Sequence, residues 1–69
     1  MSDQHNVDFE VIRLFQELGY RAEIKTVIPQ ELSTVIIVEG KEFTVRYWGT
    51  QEDVDNTFLK ILEQIASGV

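Results

Sequence analysis

The sequence predicts an α+β fold of order α-β-β-β-α, a two-layer sandwich in which two helices pack on one face of a three-stranded antiparallel meander. Three observations predict this fold. Each end of the chain carries an amphipathic helical stripe, the centre carries a hairpin pattern, and an alternating stretch precedes the hairpin. Because 69 residues can bury only one core, residues 1–69 are predicted to form a single domain.

The hairpin pattern predicts the second and third strands. Residues 34–38 and 43–48 are rich in β-branched and aromatic side chains, and Glu39, Gly40 and Lys41 separate them. A two-residue turn is expected, either Glu39-Gly40 or Gly40-Lys41, because glycine takes the positive φ that such turns need. A three-residue bulged turn would exchange the two faces. With the two-residue turn, one face carries Ile36, Val38, Phe43, Val45 and Tyr47, and the other carries Val35, Ile37, Glu42, Thr44, Arg46 and Trp48.

The first helix is predicted to begin at about Asp3 or Val7 and to end at Leu18. Asn6 is the expected N-cap of the shorter version, and Gly19 is the expected left-handed residue after the last turn. The apolar residues recur with the 3.6-residue period of one helix face, which is typical of a helix packed on a sheet. This stripe consists of Val7, Val11, Leu14, Phe15 and Leu18.

An alternating segment, residues 21–28, predicts a half-buried edge strand that Pro29 ends. Its alternation places Ala22, Ile24, Thr26 and Ile28 on one side and Arg21, Glu23, Lys25 and Val27 on the other.

The second helix is predicted to follow Gly49 and to end at Ser67-Gly68. Thr50 and Asp53 have the spacing of a capping box, with aspartate in place of glutamate. The apolar residues repeat the spacing of the first helix, at Val54, Phe58, Ile61, Leu62 and Ile65.

The composition indicates an acidic cytoplasmic protein. Twelve acidic and six basic residues give a net charge of −6, which disfavours direct contact with nucleic acid and with anionic membrane surfaces. There is no cysteine, the longest apolar run spans only residues 35–38, and the first residues lack the pattern of a secretory signal. We therefore expect a cytoplasmic location and no contact with a membrane.

The sequence offers few groups for catalysis. His5 is the single histidine and is expected to be a solvent-exposed residue near the terminus. Asp53 and Asp55 diverge by about 200° around a helix, so they cannot act as a carboxylate pair. No phosphate-binding loop, dinucleotide motif or metal-ligand spacing is present. These features predict a protein that is not an enzyme and needs no cofactor or metal.

Two segments carry family resemblances. The order α-β-β-β-α and the segment V-I-I-V-E-G-K-E-F resemble the double-stranded RNA-binding domain, which implies the same topology. That family opens its second helix with lysines, whereas residues 49–53 of this chain contain two acids and no base. The segment F-Q-E-L-G-Y resembles the start of restriction-endonuclease-like nucleases, but T-V-R-Y stands where their acid-x-Lys metal ligands would be. Neither resemblance therefore implies a binding or catalytic residue, and a degenerate RNA-binding-like domain is one alternative.

The sheet face away from the helices is the first candidate site. A solvated antiparallel face is usually polar, but this one combines apolar side chains with tryptophan and arginine, which are enriched at interface hot spots. We predict that it binds a protein partner or a second copy as a homodimer, unless part of the chain covers it. The candidate residues are Val35, Ile37, Thr44, Arg46 and Trp48, with Val27 as a neighbour on the edge strand.

The acidic helix surfaces are the second candidate. They could imitate a row of phosphates and block a protein that binds DNA or RNA, as phage-type inhibitors do. Local ion pairs of Arg13 with Glu10 and Glu17, and of Lys60 with Glu63, would instead make them ordinary solvated faces. The candidate residues are Asp8, Glu10, Glu17, Glu52, Asp53, Asp55 and Glu63.

Overall fold

The computed structural model describes residues 4–67 and confirms the predicted α+β order. Two short strands that the sequence pattern does not indicate pair with each other and tie the start of the chain to the start of the second helix. The elements are β1 (His5–Asn6), α1 (Val7–Glu17), β2 (Ala22–Ile28), a 3₁₀ turn (Pro29–Glu31), β3 (Ser33–Val38), β4 (Lys41–Arg46), β5 (Trp48–Gly49) and α2 (Gln51–Ser67).

The main sheet has the antiparallel order β2-β3-β4, with β3 in the centre as predicted. Val38 pairs with Lys41, so the hairpin loop contains only Glu39 and Gly40. Both loop residues have positive φ, 53° and 81°, which is the conformation of a type I′ turn. The structure thus selects the two-residue turn and the facing of β3 and β4 that follows from it.

A β-bulge in β2 corrects the predicted facing of that strand. The register with β3 shifts between Ile24 and Thr26, which inserts one extra residue at Lys25. Val27 is consequently paired with the buried Thr34 and lies on the helix side of the sheet. The predicted alternation of side chains placed Val27 on the opposite side of the sheet. This prediction is wrong for the residues of β2 that follow Ile24.

Both helices pack against the same side of the sheet. Along β3, fully buried residues at 34, 36 and 38 alternate with half-buried residues at 33, 35 and 37. Helix α1 lies on the buried side, and α2 packs along α1 and beside β4. The ring of Phe15 is fully buried, and its centroid lies 4.7 Å from that of Phe58 and 5.6 Å from that of Tyr20. The buried core comprises Val7, Val11, Ile12, Phe15, Ala22, Ile36, Val38, Val45, Val54 and Ile61.

The ends of the helices follow the local sequence. Helix α1 begins at Val7 rather than Asp3, which lies outside the described residues, and Asn6 occupies the N-cap position without a side-chain hydrogen bond. After the last turn, Gly19 has φ 93°. The Gly19 N–H donates to the Gln16 carbonyl oxygen, and the Tyr20 N–H donates to the Phe15 carbonyl oxygen. These two hydrogen bonds form a Schellman motif.

The N-terminus of α2 has the predicted capping box. The Thr50 N–H donates to Asp53 Oδ2 at 2.9 Å, and the Asp53 N–H donates to Thr50 Oγ1 at 3.3 Å. At the other end α2 reaches Ser67, and the predicted stop at Gly68 falls outside the described residues. Across residues 4–67, no helix is both long and apolar enough to cross a membrane.

Candidate protein-interaction surface

The side of the sheet that faces away from the helices carries the predicted binding residues, and we call it the open face. Cross-strand pairing places Val35 beside Thr44 and Ser33 beside Arg46 on this side. Val35 is half-buried, whereas Thr44 and Arg46 are exposed. Ile37 also lies on the open face and is half-buried, between Glu23 on β2 and Glu42 on β4.

Trp48 reaches this surface by a route that the sequence does not predict. Strand β4 ends at Arg46, the chain bends at Tyr47, and Trp48 belongs to β5 instead of continuing β4. Two backbone hydrogen bonds fix the bend: the Tyr47 N–H donates to the Leu32 carbonyl oxygen at 2.9 Å, and the Val7 N–H donates to the Tyr47 carbonyl oxygen at 3.2 Å. The prediction of one continuous strand over residues 43–48 is therefore wrong.

Close packing at Gly49 holds β5 in this position. A Cβ atom on Gly49 would lie 2.6 Å from Asp53 Oδ2 and 2.8 Å from Val7 Cγ2. Only glycine therefore allows β5 to approach both helices this closely. The rings of Tyr47 and Trp48 meet edge to face, with their centroids 5.5 Å apart.

Three of the five predicted residues line one groove, which we call the Trp48 groove. It encloses about 390 Å³, and its walls are Glu31, Leu32, Ser33, Thr44, Val45, Arg46 and Trp48. Trp48 is 43% exposed and Leu32 is 65% exposed. Leu32 has a left-handed backbone, with φ 51°, and it is a groove residue that the sequence analysis missed. The only sequence signal for Leu32 as a groove residue is that it is apolar and directly follows the turn that Pro29 starts.

Two polar side chains of the Trp48 groove, Ser33 and Arg46, differ in their access to a ligand. The Ser33 Oγ atom is buried and has no hydrogen-bond partner among residues 4–67. Within the same residues, the Arg46 guanidinium makes no ion pair, although its charge acts on the Asp53 carboxylate. The Ser33 hydroxyl is therefore an unsatisfied buried group, and the exposed Arg46 side chain is the cationic group of the groove that a ligand can reach.

The other end of the open face is partly covered. Lys25 Nζ lies 2.5 Å from Glu42 Oε2, so this ion pair joins β2 to β4 across the central strand. The Lys25 side chain therefore crosses the sheet next to Ile37, which reduces the exposure of that residue. Val35 and Ile37 remain on the open face but outside the Trp48 groove.

Asp8 is not a surface acid, and its assignment to the acidic candidate surface is wrong. Asp8 is fully buried and its carboxylate accepts hydrogen bonds from Thr34 Oγ1 at 2.9 Å and from the Phe9 N–H at 2.7 Å. The residue lies in the first turn of α1, where the helix dipole stabilises a negative charge. The acid was expected to face solvent because charged residues are rarely buried.

Local partners occupy other acids of the candidate surface. Glu10 Oε2 lies 2.5 Å from the Nδ1 atom of His5, which is half-buried in β1 rather than an exposed terminal residue. Glu17 pairs with Arg13 at 3.5 Å, as its spacing predicted. The pKa of the Asp53 carboxyl is lowered, mainly because the Thr50 backbone N–H donates to it. Asp55 accepts a hydrogen bond from the Gln51 side chain, while Glu52 and Glu63 are exposed.

Within residues 4–67, no three side chains of the kind that bind metal ions lie close enough together to hold one. No protein-family model matches the chain, and no curated protein or solved structure is significantly similar to it. The case for a function therefore depends on the geometry of the surface.

Proposed function

We propose that this chain is a non-enzymatic protein-interaction domain that binds a protein partner through its open face, at the Trp48 groove. The observation that carries the proposal is the exposed side chain of Trp48 in one groove with Arg46, whose guanidinium makes no ion pair within residues 4–67. These two side-chain types dominate interface hot spots because each combines a large contact area with directional hydrogen bonds.

The shape of the groove supports a partner that inserts one apolar side chain. Trp48 and Leu32 form its apolar walls, and fully covering a side chain of this size contributes roughly 1.5–3 kcal/mol. A neutral acceptor such as a backbone carbonyl can bond to the exposed Arg46 side chain. A carboxylate is a poorer ligand because Glu31 also lines the groove and the chain carries a net charge of −6.

Affinity capture with matched variants tests the proposal. Full-length wild type, Trp48→Ala and Leu59→Ala are used as baits in extract from the source cell, and circular dichroism checks that each is folded. Leu59 is an apolar residue on α2 that is 54% exposed and does not line the groove, and it serves as the control. We expect Trp48→Ala to reduce capture of the partner by roughly tenfold or more and Leu59→Ala to leave it unchanged. Equal capture by Trp48→Ala and wild type would overturn the proposal.

The acidic surface remains a second candidate function, as an imitation of nucleic acid. Asp8 is buried and does not belong to this surface. The exposed members of the acidic surface on α2 include Glu52, Asp55 and Glu63. A charge-led contact weakens as salt screens it, whereas contact through the apolar groove resists salt. Release of the partner by moderate salt, together with loss of capture in Glu52→Lys, would favour the acidic surface over the Trp48 groove.

The lack of cysteine fits a reducing compartment, and we propose a cytoplasmic location for this contact. The excess of acidic residues supports a protein partner over direct binding to nucleic acid or to an anionic membrane.

A further inference from the structure

A second surface, distinct from the Trp48 groove, lies along the outer edge of β2. We propose that two copies of the chain pair through their β2 strands, antiparallel about Ile24, so that the dimer contains one continuous six-stranded sheet. This contact is separate from the proposed partner site because the Trp48 groove lies at the junction of the 3₁₀ turn, β4 and β5.

Within residues 4–67, β2 is an edge strand, and its backbone groups at Ile24 face away from β3 without a partner strand. The Glu39 N–H donates to the Arg21 carbonyl oxygen, so the backbone groups of Arg21 point toward β3. Alternation along the strand then directs those of Ala22 and Ile24 outward. The Gln16 side chain donates to the outward Ala22 carbonyl oxygen at 2.9 Å, which confirms the direction. In an antiparallel pair about Ile24, each Ile24 N–H donates to the Ile24 carbonyl oxygen of the second copy.

An apolar groove beside this edge gives the pairing a hydrophobic component. The groove lies between α1 and β2, and its apolar walls include Phe9, Ile12, Ala22 and Ile24. Phe9 is 58% exposed although it lies next to the core residue Ile12. A two-fold axis perpendicular to the sheet puts both α1 helices on the same side of the extended sheet. Each Phe9 side chain then covers the groove between α1 and β2 where the two copies meet.

Charge complementarity identifies the occupant as a second copy. In the pairing about Ile24, Glu23 of each chain lies opposite Lys25 of the other, which makes two symmetric ion pairs. Glu23 is on the open face because it pairs with Ile37, and Lys25 is on the same face because it contacts Glu42. Glu23 has no ion-pair partner within residues 4–67, and opposite charges directly across a strand pair stabilise it.

The local charge of β2 also permits two acidic chains to approach. The chain carries a net charge of −6, but β2 contains one base and one acid, and a second base, Arg21, directly precedes it. Repulsion between copies is therefore weaker at this edge than along the acidic helices. The bulge at Lys25 interrupts the regular edge and limits the contact to a short segment, so we expect a concentration-dependent equilibrium between monomer and dimer.

Charge reversal in both directions tests the pairing. Sedimentation equilibrium is measured for the full wild-type chain, E23K, K25E, the double variant E23K/K25E and an equimolar mixture of the two single variants. Each single variant places like charges opposite each other in its own homodimer, so we expect association to weaken by roughly tenfold or more. The double variant restores opposite charges, and the mixture forms a heterodimer because one chain carries bases at both positions and the other carries acids.

Two controls keep the result interpretable. E42Q removes the intrachain partner of Lys25 and leaves the β2 edge complementary, so it should dimerise like wild type. If K25E does not fold because of repulsion from Glu42, K25E/E42Q replaces it in the mixture. Trp48→Ala should remain dimeric, which separates this proposal from the partner site. A monomeric wild type at high concentration, or folded single variants whose mixture stays monomeric, would overturn the inference.

Discussion

At the scale of single residues, the pair formed by Asp8 and Thr34 is the most consequential polar contact in the core. Both residues are fully buried, and the Thr34 hydroxyl donates to the Asp8 carboxylate across the interface of α1 and β3. A buried charge requires such partners, and loss of one partner leaves the other polar group unpaired. The pair therefore fixes how α1 sits on the sheet.

We predict a strong coupling between these two residues in a double-mutant cycle. Asp8→Ala and Thr34→Val should each lower the free energy of unfolding by about 1–3 kcal/mol, because each leaves a buried group without its partner. The double variant should lose about 1 kcal/mol less than the sum, since it removes both groups. Urea unfolding followed by circular dichroism measures all four proteins.

Thr44→Val is the control for this cycle, because Thr44 lies exposed on the opposite side of the sheet. Its effect should stay within about 0.5 kcal/mol. Additive losses for Asp8 and Thr34 would show that the hydrogen bond between them contributes little to stability.

Asp8 also shows a limit of sequence analysis at this scale. The apolar stripe of α1 was predictable from the sequence, but a buried charge depends on a donor from a distant strand. Thr34 is 26 positions away from Asp8, and no local sequence pattern indicates the hydrogen bond between them. Leu32 was missed for the same reason, because its exposure in the Trp48 groove depends on the bend at Tyr47.

At the scale of elements, the capping box of α2 makes a pH-dependent contribution to stability. The pKa of the Asp53 carboxyl lies below its ordinary value of about 3.8 because the Thr50 N–H, and to a lesser degree the Thr50 hydroxyl and Arg46, stabilise its charge. The unfolded chain therefore binds this proton more readily than the folded chain does. The contribution is fully present above pH 3.8 and is lost as the pH falls through the lower folded pKa.

We predict that Asp53→Asn is less stable than wild type near neutral pH and that the difference narrows below about pH 3.8. Thermal unfolding of both proteins across the acidic range provides the measurement. A stability gap that stays constant to the lowest pH would mean that the charge of Asp53 does not contribute to the cap.

The sequence predicted the elements better than their irregularities. Amphipathic periodicity located both helices, and the positive φ available to Gly40 located the turn, because these are local properties. The bulge at Lys25 and the end of β4 at Arg46 depend instead on pairing with other strands and on the packing of Gly49 against Val7. Such tertiary constraints override the alternation of side chains along a strand.

At the scale of the whole molecule, the two sides of the sheet differ in what covers them. Both helices pack against one side, and an ion pair between Lys25 and Glu42 spans part of the other. The Trp48 groove and the β2 edge are then two separate places where a protein could bind. The sequence predicted the open face, and it predicted that Trp48 reaches this face as part of one continuous strand. In the structure the chain bends before Trp48, and Trp48 belongs to a second, two-stranded sheet.

The exposure of the open face is the central claim, and solvent paramagnetic relaxation in NMR tests it most directly. A soluble nitroxide is added to dilute protein, and the broadening of methyl and indole signals is compared between the two sides of the sheet. The indole N–H of Trp48 and the methyls of Val35 should broaden strongly, while the methyls of the fully buried Ile36 and Val38 should be protected. Protection of Trp48 and Val35 to the same degree as Val38 would show that the open face is covered and would contradict the account.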